Sequence, residues 1–121
     1  MNATEMSIAA ACAAAEKIAT DVLILDVGDI IGITETFVIV SGANTRQVRT
    51  ICDEIELTLK IEAEISPLRV EGLKDASWVL MDYGLLVVHI FLSETREFYA
   101  LERLWADADR IEWEPPERAV S

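Results

Sequence analysis

The sequence predicts a single α/β (α+β) domain, in which a mixed β-sheet of about five strands is flanked by helices. The chain has 121 residues, which is within the usual range for one domain. Apolar residues recur at helical spacing in three segments, and short runs rich in β-branched residues lie between these segments. Two of the runs are separated by the length of a tight hairpin, and the predicted order is α-β-β-α-β-β-β-α.

Three helices are predicted from the spacing of the apolar residues. The first covers residues 4–20. The second begins at Asn44, a favoured N-cap residue, and ends before Pro67, because the residue before a proline disfavours helical backbone. The third begins at Ser93 and stops after Arg110. Its inner face is predicted to consist of Phe98, Leu101, Leu104, Trp105 and Ala108.

The predicted strands are 22–27, 36–40, 68–71, 77–82 and 85–92. The dipeptide Gly28-Asp29 turns the chain after the first strand, and Tyr83-Gly84 forms the hairpin between the last two. The last strand is apolar on both faces except at His89. We therefore expect this strand to lie centrally in a sheet that helices cover.

The apolar pattern defines one domain, residues 1–110, followed by a flexible acidic tail, residues 111–121. No internal repeat and no linker divides the domain. The apolar runs fall short of the roughly 18 residues that a bilayer-spanning helix needs. The sequence therefore predicts no contact with a membrane.

The start of the chain and its cysteines indicate in which cellular compartment the protein is expected. The alanine-rich first helix has no Lys or Arg before it, and Glu5 stands where a secretory signal would carry positive charge. Cys12 and Cys52 lie in apolar helical stripes and are predicted to be buried free thiols rather than metal ligands. The cytosol of a bacterium is the expected location.

The charge of the chain is strongly negative. Ten Lys+Arg stand against 22 Asp+Glu, a formal net charge of −12. Such a surface repels a phosphate backbone, which disfavours unaided binding of nucleic acid. A basic protein surface would instead be attracted. A surface whose acid serves only solubility has the same composition, and composition alone does not separate these two interpretations.

Candidate catalytic groups are few. His89, the single histidine, lies in the most apolar strand, where a core histidine is commoner than a catalytic one. Asp26 and Asp29 are three residues apart across a glycine turn, whereas two-metal nucleotidyl transfer usually uses acids that alternate along a strand. With Ser41 they define the alternative hypothesis, a nucleotidyltransferase-like enzyme. The favoured prediction is a binding protein without catalytic residues, metal or cofactor.

The segment 78–84 is the strongest candidate for a binding site. Alternation along the strand places Trp78, Leu80 and Asp82 on one face. If that face is open, an aromatic, an aliphatic and a carboxylate side chain stand side by side, as in binding hot spots. The alternative is that Trp78 fills the core and Asp82 only starts the turn. The residues alone leave both interpretations open.

Six segments of the chain form an ordered series of motifs: Phe37-Val-Ile-Val-Ser41-Gly42, Arg46-Gln47-Val48, Glu71-Gly72, Trp78-Val-Leu-Met-Asp82-Tyr83-Gly84, Val87-Val88-His89-Ile90-Phe91 and Arg96-Glu-Phe-Tyr-Ala-Leu-Glu-Arg-Leu-Trp105. In this order and spacing they resemble the ribosomal silencing factor family, also called RsfS or Iojap. Together they span about residues 16–108, which is most of the chain.

The resemblance implies a fold similar to that of nucleotidyltransferases, in a family not known for catalysis. It implies binding to the large ribosomal subunit through that subunit's fourteenth protein, on the face that meets the small subunit. Members of the family block subunit joining, which lowers translation when nutrients are scarce, and related forms act in ribosome assembly in organelles. Members can also form homodimers.

Residues of the family's motifs carry over to particular positions of this chain. The implied contact surface consists of Trp78, Asp82, Tyr83, Gly84 and His89, which Leu80 joins by alternation along the strand. The chain departs from the family at Glu35-Thr36, where Asp-Tyr is usual, and at Leu85, where an Asp usually follows the turn glycine. Leu85 would instead enlarge an apolar patch beside the turn.

Overall fold

A computed structural model describes residues 1–115 of the chain. The helices are α1 (Ala3–Glu16), α2 (Gly28–Ile31), α3 (Thr45–Ala63), α4 (Ser93–Tyr99) and α5 (Leu101–Leu104). The strands are β1 (Thr20–Asp26), β2 (Thr36–Gly42), β3 (Arg69–Glu71), β4 (Trp78–Asp82), β5 (Leu86–Leu92) and β6 (Asp109–Arg110). The α+β class and the mixed sheet flanked by helices are confirmed.

The sheet of the described residues has six strands rather than the predicted five, in the order β3-β4-β5-β2-β1-β6. The additional strand, β6, has only two residues and pairs antiparallel with β1. It was missed because two polar residues at the end of an amphipathic segment carry no strand signal. The central pair, β2 and β5, is parallel, and the other neighbours are antiparallel.

One face of the sheet is covered by α1 and α3, which pack side by side. The inner stripe of α3 consists of Val48, Ile51, Cys52, Ile55 and Leu59. These side chains meet the alternate apolar residues of β2, β4 and β5 in the main core. Two side-chain caps fix where the helices begin: Asn2 accepts from the Glu5 amide, and Asn44 from the Gln47 amide.

The predicted third helix is broken at Ala100. This residue takes the left-handed conformation with φ 46°, so the segment forms the two short helices α4 and α5. The break rotates part of the predicted inner face outward: Phe98 is 82% exposed and Leu104 is 73% exposed. Leu101 and Trp105 still pack on the second face of the sheet, beside Phe37.

The predicted tail begins against the body of the protein. Ile111 donates its backbone N–H to the Ile24 carbonyl at 2.9 Å, and Ile111 and Trp113 pack against the main core. Residues 116–121 of the predicted tail lie outside the described residues. In the part of the chain that is described, no helix is both long and apolar enough to cross a bilayer.

Candidate functional site

The face of the sheet opposite α1 and α3 is only partly covered by α4 and α5. The strand register places Trp78 beside Phe91, Leu80 beside His89 and Asp82 beside Val87. The side chains of Trp78, Leu80 and Asp82 are all partly exposed. We use the name "open face" for the surface that consists of Trp78, Leu80, Asp82, Val87, Phe98 and Tyr99.

Trp78 is packed on one side and exposed on the other. Its ring lies 4.9 Å from the Phe91 ring and 5.0 Å from the Tyr99 ring, centroid to centroid. Its indole Nε1–H donates to Nδ1 of His89 at 3.1 Å. The indole is therefore held in one orientation while part of it faces solvent. This arrangement lowers the entropy that Trp78 would lose on binding a partner.

His89 lies beneath the open face and holds Trp78 in place. It is 4% exposed, and its ring lies 4.7 Å from the Phe37 ring in an edge-on contact. Because Nδ1 accepts from Trp78, the proton of the neutral ring is on Nε2, which has no hydrogen-bond partner among the described residues. Burial lowers the pKa of His89 to about 4. The histidine is neutral at pH 7. Because it is buried, it would affect binding of a partner by holding Trp78 rather than by direct contact.

The buried histidine predicts a pH dependence of stability. The pKa of His89 falls from its ordinary 6.5 to about 4 on folding, so the unfolded chain takes up the proton first. The contribution is therefore fully present above pH 6.5 and is lost as the pH falls toward 4. We expect the free energy of unfolding to decrease across that interval in chemical denaturation. His89→Gln retains an acceptor for Trp78 and removes the only histidine, so an unchanged decrease in this variant would contradict the assignment.

The hairpin after β4 is fixed by Asp82. Its Oδ1 accepts from the Gly84 amide at 2.8 Å, and its Oδ2 lies 3.4 Å from Nε of Arg69 on β3. Gly84 has φ 84°, which few residues other than glycine adopt readily. Asp82 thus closes the turn and also presents a partly exposed carboxylate at the edge of the open face.

Tyr83 lies on the other side of the sheet from Trp78. It is buried in the main core, and burial raises the pKa of its hydroxyl well above the usual value. The structure therefore brings Trp78, Leu80, Asp82 and His89 together and separates Tyr83 from them. Gly84, with its positive φ, shapes the turn that follows Tyr83 and leads into β5.

The sequence did not predict that Phe98 and Tyr99 would belong to the open face or that Leu68 would be exposed beside it. Phe98 and Tyr99 of α4 lie in edge-on contact with each other, at 5.1 Å between centroids. Leu68 and Leu85, beside the hairpin, are 76% and 48% exposed. Among these residues, the sequence indicated an exposed apolar side chain only at Leu85, where the chain departs from the family pattern. Phe98 was assigned to the inner face because periodicity alone does not reveal the break at Ala100.

Of the residues of the alternative, enzymatic hypothesis, Asp26 and Asp29 line the same small cavity, but Ser41 is separated from them. Asp26 pairs with Thr36 at one end of β2, whereas Ser41 lies near its other end, opposite Thr20. Five residues of extended strand separate the two positions, or about 16 Å. In residues 1–115 no group of three or more His, Cys, Asp or Glu side chains is placed to hold a metal ion.

The cysteines provide no reactive thiolate. Cys52 is buried, and desolvation raises its pKa to about 12. Cys12 is only partly buried rather than fully buried as predicted, and its pKa is also raised, mainly by desolvation. Both thiols therefore stay protonated at neutral pH.

The composition of the open face suggests a class of protein, one that binds another macromolecule. A preformed aromatic and aliphatic face with one carboxylate at its edge is typical of a surface that binds another macromolecule. Comparison with known proteins then identifies the family. The family model described as "Ribosomal silencing factor during starvation" matches residues 1–121.

Individual relatives agree with this match. The chain is 39% identical over 108 residues to the ribosomal silencing factor RsfS of Bacillus subtilis, covering 89% of this chain and 91% of that protein. It is 34% identical over 89 residues to mouse "mitochondrial assembly of ribosomal large subunit protein 1", covering 72% of this chain and 39% of that protein.

Solved structures share the fold. A crystal structure of a protein from Chromobacterium violaceum superposes with a TM-score of 0.83 at 29% identity, covering 100% of this chain and 95% of that one. A structure from Bacillus halodurans gives 0.74 at 35% identity, covering 86% and 93%. The chain belongs to the ribosomal silencing factor (RsfS) family.

Proposed function

We propose that this protein binds the large ribosomal subunit through the open face and sterically blocks joining of the small subunit, which represses translation. The observation that carries the proposal is the partly exposed Trp78, held by His89 and Tyr99 on a face that α4 and α5 cover only in part. Family membership supports the choice of the ribosome as the target. The mechanism requires no cofactor and no turnover.

The direct contact in this proposal is the fourteenth protein of the large subunit. Ribosomal proteins are mostly basic, and a chain with a net charge of −12 would be attracted to such a surface rather than to exposed RNA. Within the open face, Asp82 supplies a carboxylate beside the apolar groups of Trp78 and Leu80. This combination suits a basic surface that presents an apolar pocket. The proposed site of action is the cytoplasm.

The experiment that tests the proposal is co-sedimentation with purified large subunits, small subunits and joined ribosomes. We expect binding to the large subunit alone, and fewer joined ribosomes as the protein is added to a mixture of the two subunits. Binding without any loss of joined ribosomes would contradict the blocking mechanism. Lack of binding to every particle would overturn the target itself.

A second candidate is a role in assembly of the large subunit, which the name of the mouse relative favours. The same face would then bind a maturing subunit rather than a finished one. Depleting the protein in growing cells separates the two candidates. Accumulation of incomplete large subunits during rapid growth would favour assembly, and normal subunits with excess translation on starvation would favour silencing.

The open face also suits a homodimer, which would exclude ribosome binding through the same residues. Its exposed aromatic side chains, with Phe98 82% exposed, would be covered in such a pair. Sedimentation velocity of the free protein over a range of concentrations tests this. A dimer that persists when large subunits are bound would show that the two contacts use different surfaces.

A further inference from the structure

A cleft of about 800 Å³ opens at one end of the sheet, beside α4 and the break at Ala100. It lies where the parallel strands β2 and β5 end, and Ser41 and Ser93 contribute to its wall. The helix that follows β2, α3, packs on one face of the sheet, and α4, which follows β5, packs on the other. Neighbouring parallel strands whose connections diverge in this way form a crevice, and ligands of α/β proteins preferentially bind there.

The floor of this cleft is a buried charged network. Arg96 is 8% exposed, and its Nη1 donates to the Ser41 hydroxyl at 2.9 Å and to the carbonyl of Asp21. Its Nε lies 3.4 Å from Oε1 of Glu102. The second oxygen of this carboxylate, Oε2, is buried and has no hydrogen-bond partner in residues 1–115. A buried acceptor left without a donor is costly, so a ligand that donates to Oε2 would be stabilised.

The charge of the lining differs from that of the chain. Arg96, Arg103 and Arg110 line the cleft with the acids Asp21, Glu97 and Glu102, so its formal charge is zero, whereas the chain carries −12. Neither Arg103 nor Arg110 forms an ion pair within the described residues. Their guanidinium groups match the oxygens of a phosphate in geometry and charge.

We propose that this cleft binds a nucleoside monophosphate. Arg103 and Arg110 bind the phosphate, and Glu102 accepts a hydrogen bond from a hydroxyl or amino group of the nucleoside. The volume of about 800 Å³ is within the usual range for small-molecule sites. The three carboxylates disfavour ligands with more negative charge, such as triphosphates. This inference does not depend on ribosome binding.

The test is a titration of the full chain with the four common nucleoside monophosphates, followed by amide chemical shifts. Inorganic phosphate alone and adenosine alone form separate arms. We expect at least one monophosphate to saturate, with shifts concentrated at Ser41, Ser93 and residues 100–103. Phosphate alone and the nucleoside alone are expected to bind about tenfold more weakly or worse, because each occupies half of the site.

Arg103→Gln combined with Arg110→Gln should weaken binding about tenfold or more. Arg69→Gln makes the same change at an exposed arginine on β3, at the far edge of the sheet, and should leave binding unchanged. Absence of saturation at millimolar ligand, shifts centred elsewhere, or equal affinity of the double variant would overturn the proposal. Inorganic phosphate that binds as tightly as the nucleotide would reduce the cleft to a simple anion site and would also overturn it.

Discussion

Trp78→Ala is expected to weaken binding to the large ribosomal subunit by about 30-fold or more, which corresponds to at least about 2 kcal/mol. The indole is already packed against Phe91 and Tyr99 and hydrogen-bonded to His89, so little ordering remains when a partner covers it. Truncation removes this anchor and leaves Nδ1 of His89 without its donor. Co-sedimentation over a range of protein concentrations measures the change.

Two further variants separate loss of contact from loss of fold. Ile61→Ala removes an apolar side chain that is 70% exposed on α3, across the sheet from the open face, and should leave binding unchanged. Trp78→Phe retains an aromatic ring but removes the Nε1–H donor, so its effect should be intermediate. Normal binding of a folded Trp78→Ala protein would mean that the subunit contacts another surface.

The composition of the open face followed from the sequence only where the backbone is regular. Alternation along β4 correctly grouped Trp78, Leu80 and Asp82, since a strand of five residues leaves little freedom in which face a side chain takes. Tyr83 was grouped with them through the family motif. It follows the last residue of the strand, where alternation no longer applies, and its ring enters the main core.

The break in the last helix could not be predicted from the local sequence, because α4, which precedes the break, contacts residues that are distant along the chain. Ala100 is a good helix former, and nothing in its neighbours suggests a left-handed residue. Arg96 ties α4 to the carbonyl of Asp21, 75 residues earlier, and to Ser41, 55 residues earlier. Periodicity reports local spacing only, so the outward position of Phe98 and the cleft beside Arg96 were both missed.

The second large effect is expected at Gly72, which allows β4 to begin where it does. Gly72 has φ 88°, and a Cβ at this position would lie 2.1 Å from the carbonyl oxygen of Trp78. Gly72→Ala must therefore move the backbone and also adopt a strained φ. We expect the free energy of unfolding to decrease by about 3 kcal/mol or more, from left-handed strain plus overpacking. Chemical denaturation measures the decrease.

Gly32→Ala is the matched control, because Gly32 has φ 80° but no atom within 4 Å of the added Cβ. It carries the cost of the left-handed backbone alone, about 1 kcal/mol. Equal losses of unfolding free energy in the two variants would show that the close approach to Trp78 does not limit substitution.

A larger loss of stability at Gly72 has a functional consequence, since the displaced backbone carries Trp78 itself. In the fraction of Gly72→Ala protein that remains folded, the indole should lose its hydrogen bond to His89, and subunit binding should weaken, while folded Gly32→Ala binds normally.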